Sequence, residues 1–216
     1  MAKTEIIRAD IMPIDEYAKI RRQRRPAMME LKKTRRLAVG PDAMFSFECY
    51  ETMWHQIHEM LYIEKGGEDQ IADELAAYNP LVPKGDNLVA TLMFEIDDAD
   101  RRARVLARLG GVENTVTLSV DGETIRAVPE GDVERSTAAG RASSVHFLHF
   151  PFTRKQIEMF AKPGADVTLG VGHENYGHMA RLPEAVRAAL ARDFDRSQTS
   201  EVRDQGSDLK RLASDP

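Results

Sequence analysis

The sequence contains little cysteine and no long apolar run. Cys49 is the single cysteine among 216 residues, so an internal disulfide cannot form, and a reducing compartment is expected. The N-terminal stretch MAKTEIIRADIMPIDEY has no apolar run of signal-peptide length. No segment approaches the roughly 18 apolar residues that span a membrane. These absences predict a cytoplasmic protein without a membrane segment.

Signatures of catalysis are also scarce. A single cysteine cannot ligate an iron–sulfur cluster, and no local pattern marks Cys49 as an activated nucleophile. Ser143 and Ser144 precede a predicted strand without a nucleophile elbow. The glycines around residues 170–177 do not have the spacing of a phosphate loop or a dinucleotide fingerprint. The sequence therefore leaves open whether the protein is an enzyme.

Basic charge is concentrated in one segment, Lys19–Arg36. Its nine Lys and Arg residues and one acid, Glu30, give +8, and the total of -5 leaves -13 on the rest of the chain. Such a block is typical either of a docking surface for an acidic partner or of an ordinary solvated helix face. The sequence argues against nucleic acid as a partner, because the segment lacks interleaved aromatic residues and the rest of the chain is acidic.

Hydrophobic periodicity and turn signals predict an α+β fold. The predicted strands are Ala43–Phe47, Leu88–Ile96, Thr115–Val120, Glu123–Val128, Ser144–Phe150 and Val167–Val171. The predicted helices are 14–31, which Pro26 should kink or split, then Cys49–Lys65, Gln70–Tyr78, a helix from Asp97–Asp98 to Leu109, Arg154–Ala161 and 183–194.

Strands and helices do not alternate regularly, which favours α+β over a doubly wound fold. We therefore expect a largely antiparallel mixed sheet with flanking helices and an N-terminal basic helical segment. Residues 1–195 should form a single globular domain. The polar stretch 196–216 lacks apolar periodicity and is predicted to be disordered.

Several long strings of the sequence resemble a known bacterial family. The strings DEYAKIRRQRR, YETMWHQIHEMLYIEKGG, IADELAAYNPLVP, ATLMFEID, SSVHFLHFPFT and LGVGHENYGHM resemble the family called domain of unknown function 3501, over about residues 8–194. The resemblance assigns no catalytic residue. It implies a genomic context of rubrerythrin-like proteins and of iron–sulfur and flavin oxidoreductases, so an oxidoreductase or rubrerythrin-like protein is a predicted partner.

All six histidines fall in three close pairs. The pairs are His55 and His58, His146 and His149, and His173 and His178. Imidazole is the commonest protein ligand for zinc, iron and copper. In the helix Cys49–Lys65, the spacing places His55, His58 and Glu59 on one face, opposite Trp54, Ile57 and Leu61. That face has the ligand types of an iron or zinc site, but the solvated side of an amphipathic helix would have the same composition.

The other two pairs leave similar alternatives open. His146 and His149 are three residues apart, so a regular strand directs them to opposite sides of its sheet. Either can be a ligand or a hydrogen-bonded packing histidine. His173 and His178 bracket a predicted loop, GHENYGH, which is either a binding loop or a surface turn.

Two hypotheses of different classes follow. The first is a metal-binding accessory protein of a redox system, with non-haem iron favoured over zinc. Its ligands would be His55, His58 or Glu59, His149 and His178, with His146 and His173 as substitutes. The second is a non-catalytic adaptor that docks an acidic protein partner through the basic segment Lys19–Arg36, with structural or pH-responsive histidines. The oligomeric state is not predicted.

One geometric expectation separates the hypotheses. Trp54, Ile57 and Leu61 should pack against the sheet that contains Leu88–Ile96 and Ser144–Phe150. If the GHENYGH loop covers the opposite helix face, histidines of two segments meet there and the metal hypothesis gains support.

Overall fold

The computed structural model describes residues 3–131 and 140–194, and the predicted polar tail lies outside them. The helices are α1 (Ile14–Lys33), α2 (Tyr50–Glu64), α3 (Gly67–Tyr78), α4 (Ala99–Leu106), α5 (Arg154–Ala161) and α6 (Glu184–Leu190). The strands are β1 (Arg36–Val39), β2 (Ala43–Phe47), β3 (Asn87–Phe94), β4 (Val116–Val120), β5 (Glu123–Arg126), β6 (Val128–Pro129), β7 (Val145–Pro151), β8 (Val167–His173) and β9 (Tyr176–Arg181).

The strands form two antiparallel sheets. The first sheet has the order β1-β2-β3-β7-β6 and the second the order β5-β4-β8-β9. Every strand pairing is antiparallel. The α+β prediction, with flanking helices and an N-terminal basic helix, is confirmed. In the described ranges no helix is both long and apolar enough to cross a bilayer.

Strand β3 shows how the layers are arranged. Leu88, Ala90 and Leu92 are buried in a cluster shared with strands of the second sheet. Val89 points the other way, into a cluster with Ile57 and other side chains of α2. Because successive side chains of a strand face opposite sides, a strand covered on both sides must be apolar at nearly every position. The continuous run LVATLM reflects this double burial.

Several predicted elements differ from the structure. The predicted strand Glu123–Val128 is divided into β5 and β6, which belong to different sheets. Of the two alternatives at Pro26, the split does not occur, because helix α1 continues through Pro26 as one element. Pro26 lies on the exposed side of the helix, where water can hydrogen-bond to the backbone carbonyl that receives no N–H from proline. The GHENYGH segment is not a loop. It is the tip of a β8–β9 hairpin, in which His173 pairs with Tyr176 and the turn consists of Glu174 and Asn175.

Tyr176 of this hairpin fastens the second sheet to the β1–β2 turn of the first. Its hydroxyl accepts hydrogen bonds from the backbone N–H groups of Asp42 (3.0 Å) and Ala43 (2.8 Å). It donates to the carbonyl of Val39 at 2.8 Å. Gly40 has φ +71°, and a Cβ there would meet atoms of His178 and Tyr176 at 2.6–2.8 Å. The hairpin therefore packs directly on this turn.

Replacing Tyr176 with phenylalanine should lower the free energy of unfolding by about 2 kcal/mol, because two buried N–H groups lose their acceptor. Urea denaturation followed by circular dichroism measures the change. Tyr62→Phe is the matched control, since the Tyr62 hydroxyl makes no hydrogen bond to another described residue. Equal losses in the two variants would contradict this account of the turn.

Candidate functional site

A hydrogen-bonded cluster joins α1 to α2 around Tyr17, which is fully buried. The Tyr17 hydroxyl donates to Glu59 Oε1 at 2.6 Å and lies 3.0 Å from His55 Nδ1. Arg21 donates from Nε to Oε1 and from Nη2 to Oε2 of Glu59, both at 2.8 Å. We call Tyr17, Arg21, His55 and Glu59 the Tyr17 cluster.

The proton positions in the Tyr17 cluster follow from its charges. The hydrogen bonds from Arg21, more than any other influence, lower the pKa of Glu59 to about 2, and the Tyr17 hydroxyl contributes to this. Glu59 is therefore an acceptor at neutral pH. Burial, followed by the hydrogen bond to Glu59, raises the pKa of Tyr17. Since the only phenolic proton is donated to Glu59, the hydrogen between Tyr17 and His55 belongs to His55 Nδ1.

His58 is held inside the protein as a neutral imidazole. Its Nδ1 donates to the carbonyl of Trp54 (2.7 Å), and its Nε2 accepts from the backbone N–H of Met12 (3.2 Å). The ring also stacks on Trp54, with centroids 3.7 Å apart. Burial lowers the pKa of His58. Both ring nitrogens are occupied, so His58 has no lone pair left for a metal.

The predicted division of helix α2 into two faces is wrong for His58. Trp54 and His58 are four residues apart and share a face, as their stacking shows. Ile57 and Leu61 are buried against Val89 of the first sheet, as predicted, and Trp54 packs at the edge of that cluster. The face that bears His55 and Glu59 meets α1 instead of the GHENYGH segment.

The remaining histidines are dispersed over the two sheets. His146 is fully buried and His149 is half-buried, so they point to opposite sides of β7, as predicted. His146 Nε2 lies 3.0 Å from the carbonyl of Ser143, and His149 Nε2 lies 2.5 Å from Glu130 Oε2.

His173 and His178 belong to the β8–β9 hairpin of the second sheet. In residues 3–131 and 140–194 there is no group of three or more His, Cys, Asp or Glu side chains placed to hold a metal ion. The structure pairs His55 with Glu59 through Tyr17, and His58 lies beside Tyr17 but has both ring nitrogens hydrogen-bonded. Iron or zinc binding therefore stays a prediction, and the described part of the chain contains no group of side chains that supports it.

Some basic residues of the segment Lys19–Arg36 are bonded to other parts of the protein, and others are not. Arg35 is buried and paired with Asp193, and Arg21 is bonded to Glu59. The Arg24 guanidinium lies 4.3 Å from the centre of the Trp54 ring. These three arginines hold the fold together through charge and cation–π contacts, so the count of nine overstates the charge available to a partner.

Four other basic members of the segment border an open groove of about 440 Å³. Its lining residues are Arg25, Met28, Met29, Lys32, Lys33, Arg36 and His55. Met28 is buried, whereas Met29 is 70% exposed. Four basic side chains and two methionines thus line the same groove, and we call this surface the basic groove. The charges of this groove are visible in the sequence, but the role of Tyr17 is not, because its position on the apolar stripe of α1 resembles that of an ordinary core residue.

The fold and this surface define an α+β protein with a basic groove between its N-terminal helix and α2. The chain belongs to a family described as protein of unknown function (DUF3501), whose model matches residues 5–194. The resemblance inferred from the sequence strings is thereby confirmed. A crystal structure of a novel protein of unknown function from Burkholderia pseudomallei K96243 is similar, with 40% identity and a TM-score of 0.82. The match covers 88% of this chain and 99% of that chain. No curated protein matches.

Proposed function

We propose that the protein is a non-catalytic adaptor that binds an acidic segment of a partner protein in the basic groove. The observation that carries this proposal is the arrangement of Arg25, Lys32, Lys33 and Arg36 around the exposed side chain of Met29. Long basic side chains attract carboxylates, and a flexible thioether suits an apolar side chain of varied shape. The surface therefore fits an acidic segment that carries an apolar residue.

The Tyr17 cluster supports the proposal because it holds the wall of the groove in place. Arg21 and Tyr17 of α1 are both bonded to Glu59 of α2, which fixes the two helices against each other. A preformed groove loses less conformational entropy when a ligand binds. Nucleic acid fits less well, since the lining contains no Phe, Tyr or Trp on which bases could stack. A rubrerythrin-like or oxidoreductase partner remains the prediction that the family resemblance implies.

Charge reversal within the groove should weaken binding by about tenfold or more, which corresponds to about 1.4 kcal/mol. The probe is a fluorescein-labelled, aspartate-rich peptide that contains one leucine, and fluorescence anisotropy gives its Kd. Arg25→Glu changes a lining residue. Arg22→Glu is the matched control, because Arg22 is exposed on the same helix but does not line the groove.

The control variant should bind the peptide within about twofold of the unmodified protein. Raising the salt concentration should weaken binding in both, since exposed charges are screened. Equal Kd values for Arg25→Glu and Arg22→Glu would refute the groove as the docking surface. Preference for a single-stranded oligonucleotide of equal charge over the peptide would refute the choice of partner. Arg21 is unsuitable for this test, because its loss would also disrupt the Tyr17 cluster.

A further inference from the structure

Given the proposed function of the groove, on which this inference rests, we infer that His55 is its anion-contacting residue and takes up a proton when an acidic segment binds. His55 is part of both the basic groove and the Tyr17 cluster. It lines the basic groove, and it is bonded to Tyr17 within the Tyr17 cluster.

The cluster determines which nitrogen faces a ligand. Nδ1 carries the hydrogen that is donated to Tyr17, because the phenolic proton is already donated to Glu59. In the neutral ring Nε2 is then an acceptor. Within the described ranges, no hydrogen bond to Nε2 is formed by the protein. A carboxylate in the groove would therefore meet a lone pair, unless Nε2 gains a proton and becomes a donor.

Burial and the surrounding charges together lower the pKa of His55 while the groove is empty. From α1, Arg21, Arg24 and Lys32 face it as cations and Tyr17 as a neutral phenol, whereas α2 contributes the Glu59 carboxylate and neutral His58. Burial lowers the pKa of His55 most, and these three cations lower it further, against the opposing effect of Glu59.

A bound carboxylate would add a negative charge beside Nε2 and raise the pKa of His55. Proton uptake and anion binding are then linked, and each favours the other. The added proton comes from solvent, and no other bond is made or broken. Affinity should rise as pH falls through the window between the pKa of bound His55 and the lower pKa of free His55.

The test is the Kd of the aspartate-rich peptide at constant ionic strength, measured from about pH 8 to about pH 5, where aspartate stays ionised. Affinity of the unmodified protein should increase by up to about tenfold per pH unit within the window, since one proton is taken up. His55→Gln keeps a polar side chain but cannot be charged, so its Kd should be nearly constant. His178→Gln, which removes an exposed histidine on the other sheet, should behave like the unmodified protein.

The possible outcomes separate the two proposals. If Arg25→Glu weakens binding but His55→Gln keeps the full pH dependence, the groove stands and the role of His55 is overturned. If the unmodified protein does not bind the peptide, the groove fails and the inference fails with it. NMR of the peptide-free protein gives an independent readout. It should show His55 with a pKa below the ordinary value and, when neutral, with its hydrogen on Nδ1; hydrogen on Nε2 would overturn the inference without any peptide.

Discussion

Replacing Asp193 with alanine should lower the free energy of unfolding by about 3–5 kcal/mol, the range typical for a buried ion pair that loses one member. Arg35 is 5% exposed and Asp193 12% exposed in their salt bridge. Arg35 also donates to the carbonyls of Phe47 (3.0 Å) and Glu48 (2.9 Å). Without Asp193, the guanidinium would keep its charge in a place that water barely reaches.

An exposed pair of the same kind supplies the control for this prediction. Asp166 is paired with Arg181 at 2.8 Å, with side chains 63% and 68% exposed. Asp166→Ala should change the stability by less than about 1 kcal/mol, because water replaces the lost partner. Urea unfolding at neutral pH compares the two variants. A loss for Asp193→Ala as small as that for Asp166→Ala would contradict the assigned importance of the buried pair.

The Arg35–Asp193 pair also illustrates why the basic segment was only partly predictable. Composition located nine cations between residues 19 and 36. However, the partner of Arg35 lies 158 positions away and that of Arg21 lies 38 positions away. Charge counting along a sequence does not detect such pairs. Only the folded structure shows which basic side chains are bonded to other groups of the protein and which remain free to contact a ligand.

The histidines show a second limit of the same reasoning. Helical spacing correctly groups His55 with Glu59, but it does not say which element covers each part of the helix surface. Helix α1 covers the face with His55 and Glu59, and the stack on Trp54 buries His58. Strands β3 and β7 were easier to predict. The double burial of β3 and the alternation of β7 are visible in the sequence, because a strand has only two faces.

The GHENYGH segment was mistaken for a loop because glycine and polar residues usually indicate a turn. Here Gly172 and Gly177 form part of the β8–β9 ladder. Tyr176 lies in this segment, and its hydroxyl forms the hydrogen bonds that join the two sheets. Nothing in the local pattern separates such a tyrosine from one that is simply exposed at a loop tip.

Replacing Glu59 with glutamine should lower the free energy of unfolding by about 2–3 kcal/mol at pH 7, since the carboxylate is held by Arg21 and Tyr17 and its pKa is lowered from 4.5 to about 2. A full conversion of that pKa shift into free energy would give a larger value, but the Glu59 side chain is 17% exposed and its charge is partly screened by water.

The ionised carboxylate stabilises the folded state above pH 4.5, and this stabilisation is lost as pH falls towards 2. The difference between the unmodified protein and Glu59→Gln should therefore be constant near neutral pH, shrink through that window and disappear only as the pH falls below the folded pKa of Glu59. Glu68→Gln removes the corresponding carboxylate of an exposed, bidentate Arg8 pair and should show a much smaller difference. Urea unfolding over this pH range measures both variants, and a pH-independent deficit for Glu59→Gln would mean that packing, and not the ionised carboxylate, accounts for the loss.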